Sequence, residues 1–275
     1  MKWRGRAGSQ NIEDRRGMSG GGMAVGGGLG GLVLVLLISA LTGQNPLDVI
    51  NSTAPASSEV SPGGVPADDP QAEFVSVVLK DTEATWGRLF ASSGKSYMAP
   101  VLVLFTGATQ SACGLGQSAM GPFYCPADRK VYLDLSFFRE LDERFGAPGD
   151  FAQAYVVAHE IGHHVQTLTA ISDRMQAARQ RAGEREANAL SVRQELQADC
   201  FAGVWGHYAA NEGLLEPGDA EEGLRAAAAI GDDRLQRQSQ GTVVPESFTH
   251  GSSEQRVEWL RRGLQSGSVD SCNIF

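Results

Sequence analysis

Residues 159–163 read His-Glu-Ile-Gly-His, residue types that can do metal chemistry at this spacing. On a helix, residues four apart differ by only about 40° in direction, so both imidazoles leave one face and can share one metal ion. Glu160 stands beside the pair. From there it can take a proton from a metal-activated water and return it to a leaving amine, without ligating the metal itself. Ala154, Ala158, Ile161, Val165 and Leu168 recur at helical spacing, which buries the motif's helix on the side next to the histidines. Imidazoles and a carboxylate beside an apolar stripe are costly unless they have partners, and a metal ion is one such partner.

A catalytic zinc normally takes three protein ligands and leaves a fourth position open. Extension of the motif by a third histidine on the same segment would need Gly at 166 and His at 169, whereas the chain has Gln166 and Thr169. The alternative is a carboxylate from a later helix. Arg193 to Gly203 (RQELQADCFAG) supplies Glu195 and Asp199, one turn apart among small and apolar neighbours, and either can serve. The donor chemistry of two histidines and one carboxylate suits one zinc ion. His164 points about 100° away from His163 and reads as a supporting or surface residue, and His207 as a structural one. His250 precedes Ser252-Ser253-Glu254-Gln255, a capping-box pattern at a helix start. A loop histidine there can stabilise a developing oxyanion, a role for which Tyr155 and Tyr208 are the alternatives.

The elements that must position these groups are mainly helical. Asp69-Pro70 opens a helix with Phe74, Val77, Val78, Trp86, Leu89 and Phe90 at helical spacing. The run Pro100 to Thr106 (PVLVLFT) reads as a buried strand, and Pro126-Ala127-Asp128 as a turn between strands near Phe123 to Cys125 and Lys130 to Leu135. Helices follow near Ser136 to Phe145, Asp150 to Ala170, Glu184 to Asn211, Asp219 to Leu235 and Ser253 to Leu264. The expected fold class is therefore α+β, with a small sheet preceding the active-site helix.

The chain has 275 residues and a net charge of -9, and its charge is uneven. Residues 1–22 hold five basic side chains against Glu13 and Asp14, which leaves the body strongly acidic. No basic cluster follows, so a nucleic-acid partner is not expected. Met23 to Leu41 is uncharged and about as long as a bilayer core requires, and reads as one transmembrane helix. The basic residues before it place the N-terminus in the cytoplasm and the rest outside the cell membrane. The expected organisation is a cytoplasmic tail (1–22), a transmembrane helix (23–43), a flexible linker rich in Pro, Ser and Gly (44–69), and one catalytic domain (70–275). All four cysteines fall on the exported side, where disulfides persist, and the favoured pairing is Cys113 with Cys125 and Cys200 with Cys272. A free, buried Cys200 is the alternative.

Five segments together resemble the bacterial putative neutral zinc metallopeptidase family: Asn11–Gly17 (NIEDRRG), Gly121–Asp134 (GPFYCPADRKVYLD), His159–Gln166 (HEIGHHVQ), Glu195–Gly203 (ELQADCFAG) and Ser247–Arg256 (SFTHGSSEQR). The resemblance implies a zincin-like fold, with His159, His163 and Glu195 as the zinc ligands and Asp199 supporting a ligand histidine. It also implies that a sheet edge near Val131 to Leu135 receives an extended peptide or protein substrate. The function so implied is hydrolysis of peptide bonds by a zinc peptidase; the apolar run makes it membrane-anchored, and Glu160, from the motif, and His250, from its loop, are the expected catalytic residues. Two rivals share these residues: an inactive zinc-containing scaffold at the cell surface, and a metal-dependent amidase acting on cell-wall peptides.

Overall fold

The structure is a computed structural model, and the residues described are 1–17, 65 and 68–275. In chain order these residues form β1 (Ile12–Asp14), α1 (Pro70–Ser92), β2 (Val101–Phe105), β3 (Ala108–Ser111), β4 (Gly114–Gln117), β5 (Phe123–Cys125) and β6 (Lys130–Asp134). They continue as α2 (Ser136–Glu143), α3 (Asp150–Leu168), α4 (Ile171–Arg179), α5 (Glu184–Asn211), α6 (Asp219–Ala229), α7 (Asp232–Gln240) and α8 (Ser253–Ser266). The fold is α+β.

The principal sheet has the order β1-β2-β6-β5, parallel except for the antiparallel edge strand β5. β2 is apolar throughout because both of its faces are covered. Leu102 and Leu104 join the main core, while Val103 and Phe105 pack with Cys125 and Tyr132 on the other side. β3 and β4 form a separate antiparallel hairpin, and Cys113 at its turn is disulfide-bonded to Cys125 of β5. Cys200 of α5 is bonded to Cys272, so both expected pairings are formed and Cys200 is not free.

Helix boundaries follow local chemistry. Asp69 caps α1 by accepting from the backbone N–H groups of Gln71 and Ala72, with Pro70 in the first turn. Ser252 and Gln255 close the capping box at the start of α8. The helix expected over 219–235 is two helices, α6 and α7, separated at Ile230 and Gly231. α3 packs against α5 and α6, and α8 packs against α5 and α6, so the motif helix runs through the centre of the helical layer.

The membrane-spanning helix is corrected. Among the described residues no helix is long and apolar enough to cross a membrane, and residues 23–43, on which that reading fell, lie outside them, as does nearly all of the expected linker. Residues 1–14 of the expected tail belong to the body. β1 pairs with β2 in register, Trp3 packs edge-on against Phe74 with ring centroids 5.4 Å apart, and the Met1 ammonium group lies 2.8 Å from Asp150 in the first turn of α3. A chain that crossed a bilayer once between residue 14 and residue 70 would separate β1 from the sheet it completes.

Candidate metal centre

The site begins with a close helix crossing. A Cβ on Gly162 would lie 2.9 Å from the carbonyl oxygen of Ala198 and 3.0 Å from its Cα, so the glycine within the motif permits α3 and α5 to approach backbone to backbone. That approach brings Glu195 and Asp199 to the two histidines. Glu195 Oε2 stands 3.1 Å from His159 Nε2 and 3.4 Å from His163 Nε2, and one ligand atom from each of the three residues falls within 4.8 Å of the others.

The opposite ring nitrogens are held from behind. His159 Nδ1 is 2.8 Å from Asp199 Oδ1, and His163 Nδ1 is 2.9 Å from Gln166 Oε1. With Nδ1 directed at these oxygens, each Nε2 faces Glu195 and is the nitrogen a metal would take on displacing its proton. Two imidazole nitrogens and one carboxylate oxygen, with no fourth protein ligand among the described residues, fit a catalytic zinc ion and not a closed structural one. A second acidic group, Asp150, Asp219 and Glu222, is instead occupied by the Met1 ammonium ion pairs to Asp150 and Asp219.

Electrostatics follow from burial and charge. Burial pushes the Glu160 carboxyl above its ordinary range, against the opposing pull of the two histidines. Burial disfavours a charged His159, but the charge of Asp199 and the hydrogen bonds that the ring donates to Asp199 and Glu195 outweigh it and push the imidazole up to about 10. His163 is raised against burial chiefly by Glu195. Zinc and the proton compete for the same nitrogen lone pairs, so zinc affinity is expected to rise with pH across the neutral range and to fall on acidification. Calorimetric titration in buffers of different ionisation enthalpy should show net proton release on zinc binding. An affinity independent of pH between 6 and 8 would contradict this assignment.

The site opens into a cleft of about 810 Å³ lined by β5, α3, α5, α7 and the loop before α8. Phe123 and Tyr124 of β5 face it, as do Val156, Glu160, Ile230, Leu235 and His250. The edge strand is β5 and not Val131 to Leu135 as a whole; β6 lies between β2 and β5, and its residues Lys130 to Tyr132 are paired on both sides. Tyr124 fastens that edge to the motif helix by donating to His164 Nδ1 at 3.1 Å, while His164 Nε2–H donates to the Met98 carbonyl at 2.6 Å. Burial pushes His164 down to about 4, so it is a neutral strut.

His250 stands in the cleft wall, about half exposed. Asp232, at the start of α7, builds its loop by accepting from the backbone N–H groups of Thr249, His250 and Gly251, and Asp232 Oδ1 is 3.2 Å from His250 Nδ1. That hydrogen bond raises the imidazole pKa and favours its charged, donating form. Tyr155 is committed elsewhere, donating to Asp199 at 2.6 Å, and Tyr208 lines a separate depression with Trp86 and Val269. His207 is held by the Leu264 carbonyl at 2.9 Å.

Sequence reasoning missed Gln166, Asp232 and Arg256. Gln166 was findable, because it lies three residues after His163 on the same helix face. Asp232 and Arg256 carry no local signal, since their partners are brought by tertiary packing.

A histidine pair on one helix, met by a carboxylate from a second and flanked by a buried glutamate in an open cleft, is the donor set of a metal-dependent hydrolase. The chain belongs to the family described as putative neutral zinc metallopeptidase, whose pattern it matches over residues 1–275. It is 51% identical to the uncharacterized protein YpfJ of Escherichia coli (strain K12), over 100% of this chain and 99% of the relative. It is 41% identical to the uncharacterized protein Mb2605 of Mycobacterium bovis and to the uncharacterized protein Rv2575 of Mycobacterium tuberculosis, over 84% of this chain and 80% of each. No solved structure matches.

Proposed function

We propose that the protein is a zinc-dependent endopeptidase. The observation that carries the reading is the convergence of His159 Nε2, His163 Nε2 and Glu195 Oε2 in a cleft that one free sheet edge also lines. When bound there, zinc supplies Lewis acidity, acidifying water in the open position and polarising the scissile carbonyl.

The chain's own residues do the rest. An extended peptide adds to the free edge of β5, whose backbone groups fix its direction. Glu160 takes the proton of the attacking water; its raised proton affinity suits a base that must later give the proton to the leaving amine. His250, held by Asp232, donates to the oxygen on which charge develops. Phe137, Phe145, Val156, Ile230 and Leu235 give the cleft apolar walls, so peptides with large apolar side chains near the scissile bond are the favoured substrates. The two disulfides support an oxidising, extracytoplasmic working site.

Incubation of the zinc-loaded protein with a peptide library, read by mass spectrometry, tests the reading. Cleavage of internal bonds is expected, abolished by a zinc chelator and restored by zinc. Protein that holds zinc but cuts no peptide would overturn it. His250→Ala is expected to lower kcat by about 100-fold with bound zinc unchanged; unaltered kcat would remove His250 from the mechanism.

A further inference from the structure

Behind His159 lies a buried charge cluster drawn from three helices. Asp199 of α5 is fully buried, and Arg256 of α8 is 3% exposed. Arg256 Nε donates to Asp199 Oδ2 at 2.9 Å and Nη2 to Oδ1 at 2.9 Å, a two-pronged grip on the carboxylate. Nη2 also donates to the Tyr155 hydroxyl oxygen at 3.0 Å, and that hydroxyl in turn donates to Asp199 Oδ1. The remaining acceptor direction of Oδ1 goes to His159 Nδ1.

The backbone is shaped to bring the guanidinium there. A Cβ on Gly203 would lie 2.2 Å from the Leu260 carbonyl oxygen, and one on Gly263 would lie 2.0 Å from that of Cys200. Only glycines facing each other let α5 and α8 cross this closely, which sets Arg256 against Asp199 over a sequence separation of 57 residues. A buried ion pair contributes little net stability, because desolvation offsets most of its attraction. Its geometry is the informative part: a forked donor fixes both oxygens of a carboxylate, whereas a single ammonium leaves the group free to turn.

We propose that Arg256 is a positioning residue for the metal centre. It locks Asp199 so that Oδ1 meets His159 Nδ1, which fixes the ring and aims His159 Nε2 at the point shared with Glu195 and His163. Arg256 acts chiefly through Asp199, and its Nη2 also lies 3.4 Å from His159 Nδ1. The inference rests on the zinc-site reading above.

The test measures zinc per chain and the rate of zinc release to a chromogenic chelator, with thermal stability followed alongside. Wild type, Arg256→Lys, Arg256→Ala, Asp199→Asn and the double variant Asp199→Asn with Arg256→Lys are compared. Arg256→Lys keeps charge and approximate volume but loses the fork, and should release zinc about 10 to 100-fold faster, as expected for loss of support behind a metal ligand. Methylguanidinium, but not methylammonium, should slow release from Arg256→Ala; if that variant does not fold, Arg256→Lys carries the test alone. The double variant should release zinc no faster than Asp199→Asn, because both changes break one relay. Wild-type release from Arg256→Lys with only a lowered Tm, or additive effects in the double variant, would overturn the proposal. Failure of the wild-type protein to bind zinc would instead overturn the zinc-site reading itself.

Discussion

Glu160→Gln is expected to lower peptide hydrolysis by about 1,000-fold or more while zinc stays near its wild-type content. Glu160 follows His159 directly on α3, so its side chain leaves the helix about 100° away from that ligand. It lies outside the group of three residues whose donor atoms converge. The carboxyl is buried, and burial raises its affinity for a proton, the property a base needs when it must also act as an acid in the same cycle. Glutamine keeps the size and a hydrogen-bonding oxygen but cannot accept that proton. Steady-state hydrolysis of a library-derived peptide, with metal analysis of the same preparation, measures both quantities. Full activity in the variant would remove Glu160 from the water-activating role, and loss of zinc would make it part of the ligand set.

The parts of this site that were legible in the sequence are those set by helical periodicity. His159 and His163 share a face because they are four apart, and the apolar stripe of Ala154, Ile161 and Val165 is buried as expected, although α3 is enclosed nearly all round and not on that side alone. The same periodicity cannot separate Glu195 from Asp199, which are also four apart. Their distinction lies in depth: Asp199 is wholly enclosed against Nδ1 of His159, while Glu195 reaches Nε2.

Strand β1 was illegible for a different reason. It is three residues long, Ile12-Glu13-Asp14, and only its pairing with Leu102 to Leu104, some ninety positions away, makes it a strand. The apolar run at 23–41 is a stronger local signal than that pairing, so the residues before it read as a separate tail although Ile12 to Asp14 complete the sheet of the body. The sheet edge differs from the expected one because Lys130 to Tyr132 of β6 have strand neighbours on both sides, whereas the edge strand, Phe123 to Cys125, is short and aromatic. No local pattern marks Arg256; the glycine-mediated crossing of α5 and α8 is what places it inside.

Removal of Glu195 should have the second large effect, and its comparison with Asp199 decides the third ligand. Glu195 Oε2 is the only carboxylate oxygen among the described residues that approaches Nε2 of both histidines, at 3.1 and 3.4 Å. Glu195→Ala deletes one of three donors, and two imidazoles alone hold zinc too weakly to survive purification. That variant should be isolated nearly zinc-free. Asp199 contacts the far nitrogen of His159, so its loss should leave zinc in place but weaken its hold about 10 to 100-fold. Asp199→Ala, however, also strands the buried Arg256 guanidinium, a change that can destabilise the whole fold. Asp199→Asn is the better comparison, since its amide keeps an oxygen for one donor and fills the same space. Zinc content after gel filtration, and the rate of loss to a chelator, should therefore rank wild type above Asp199→Asn and Asp199→Asn well above Glu195→Ala. The reverse order for the two variants, with circular dichroism showing both folded, would make Asp199 the ligand and Glu195 its support.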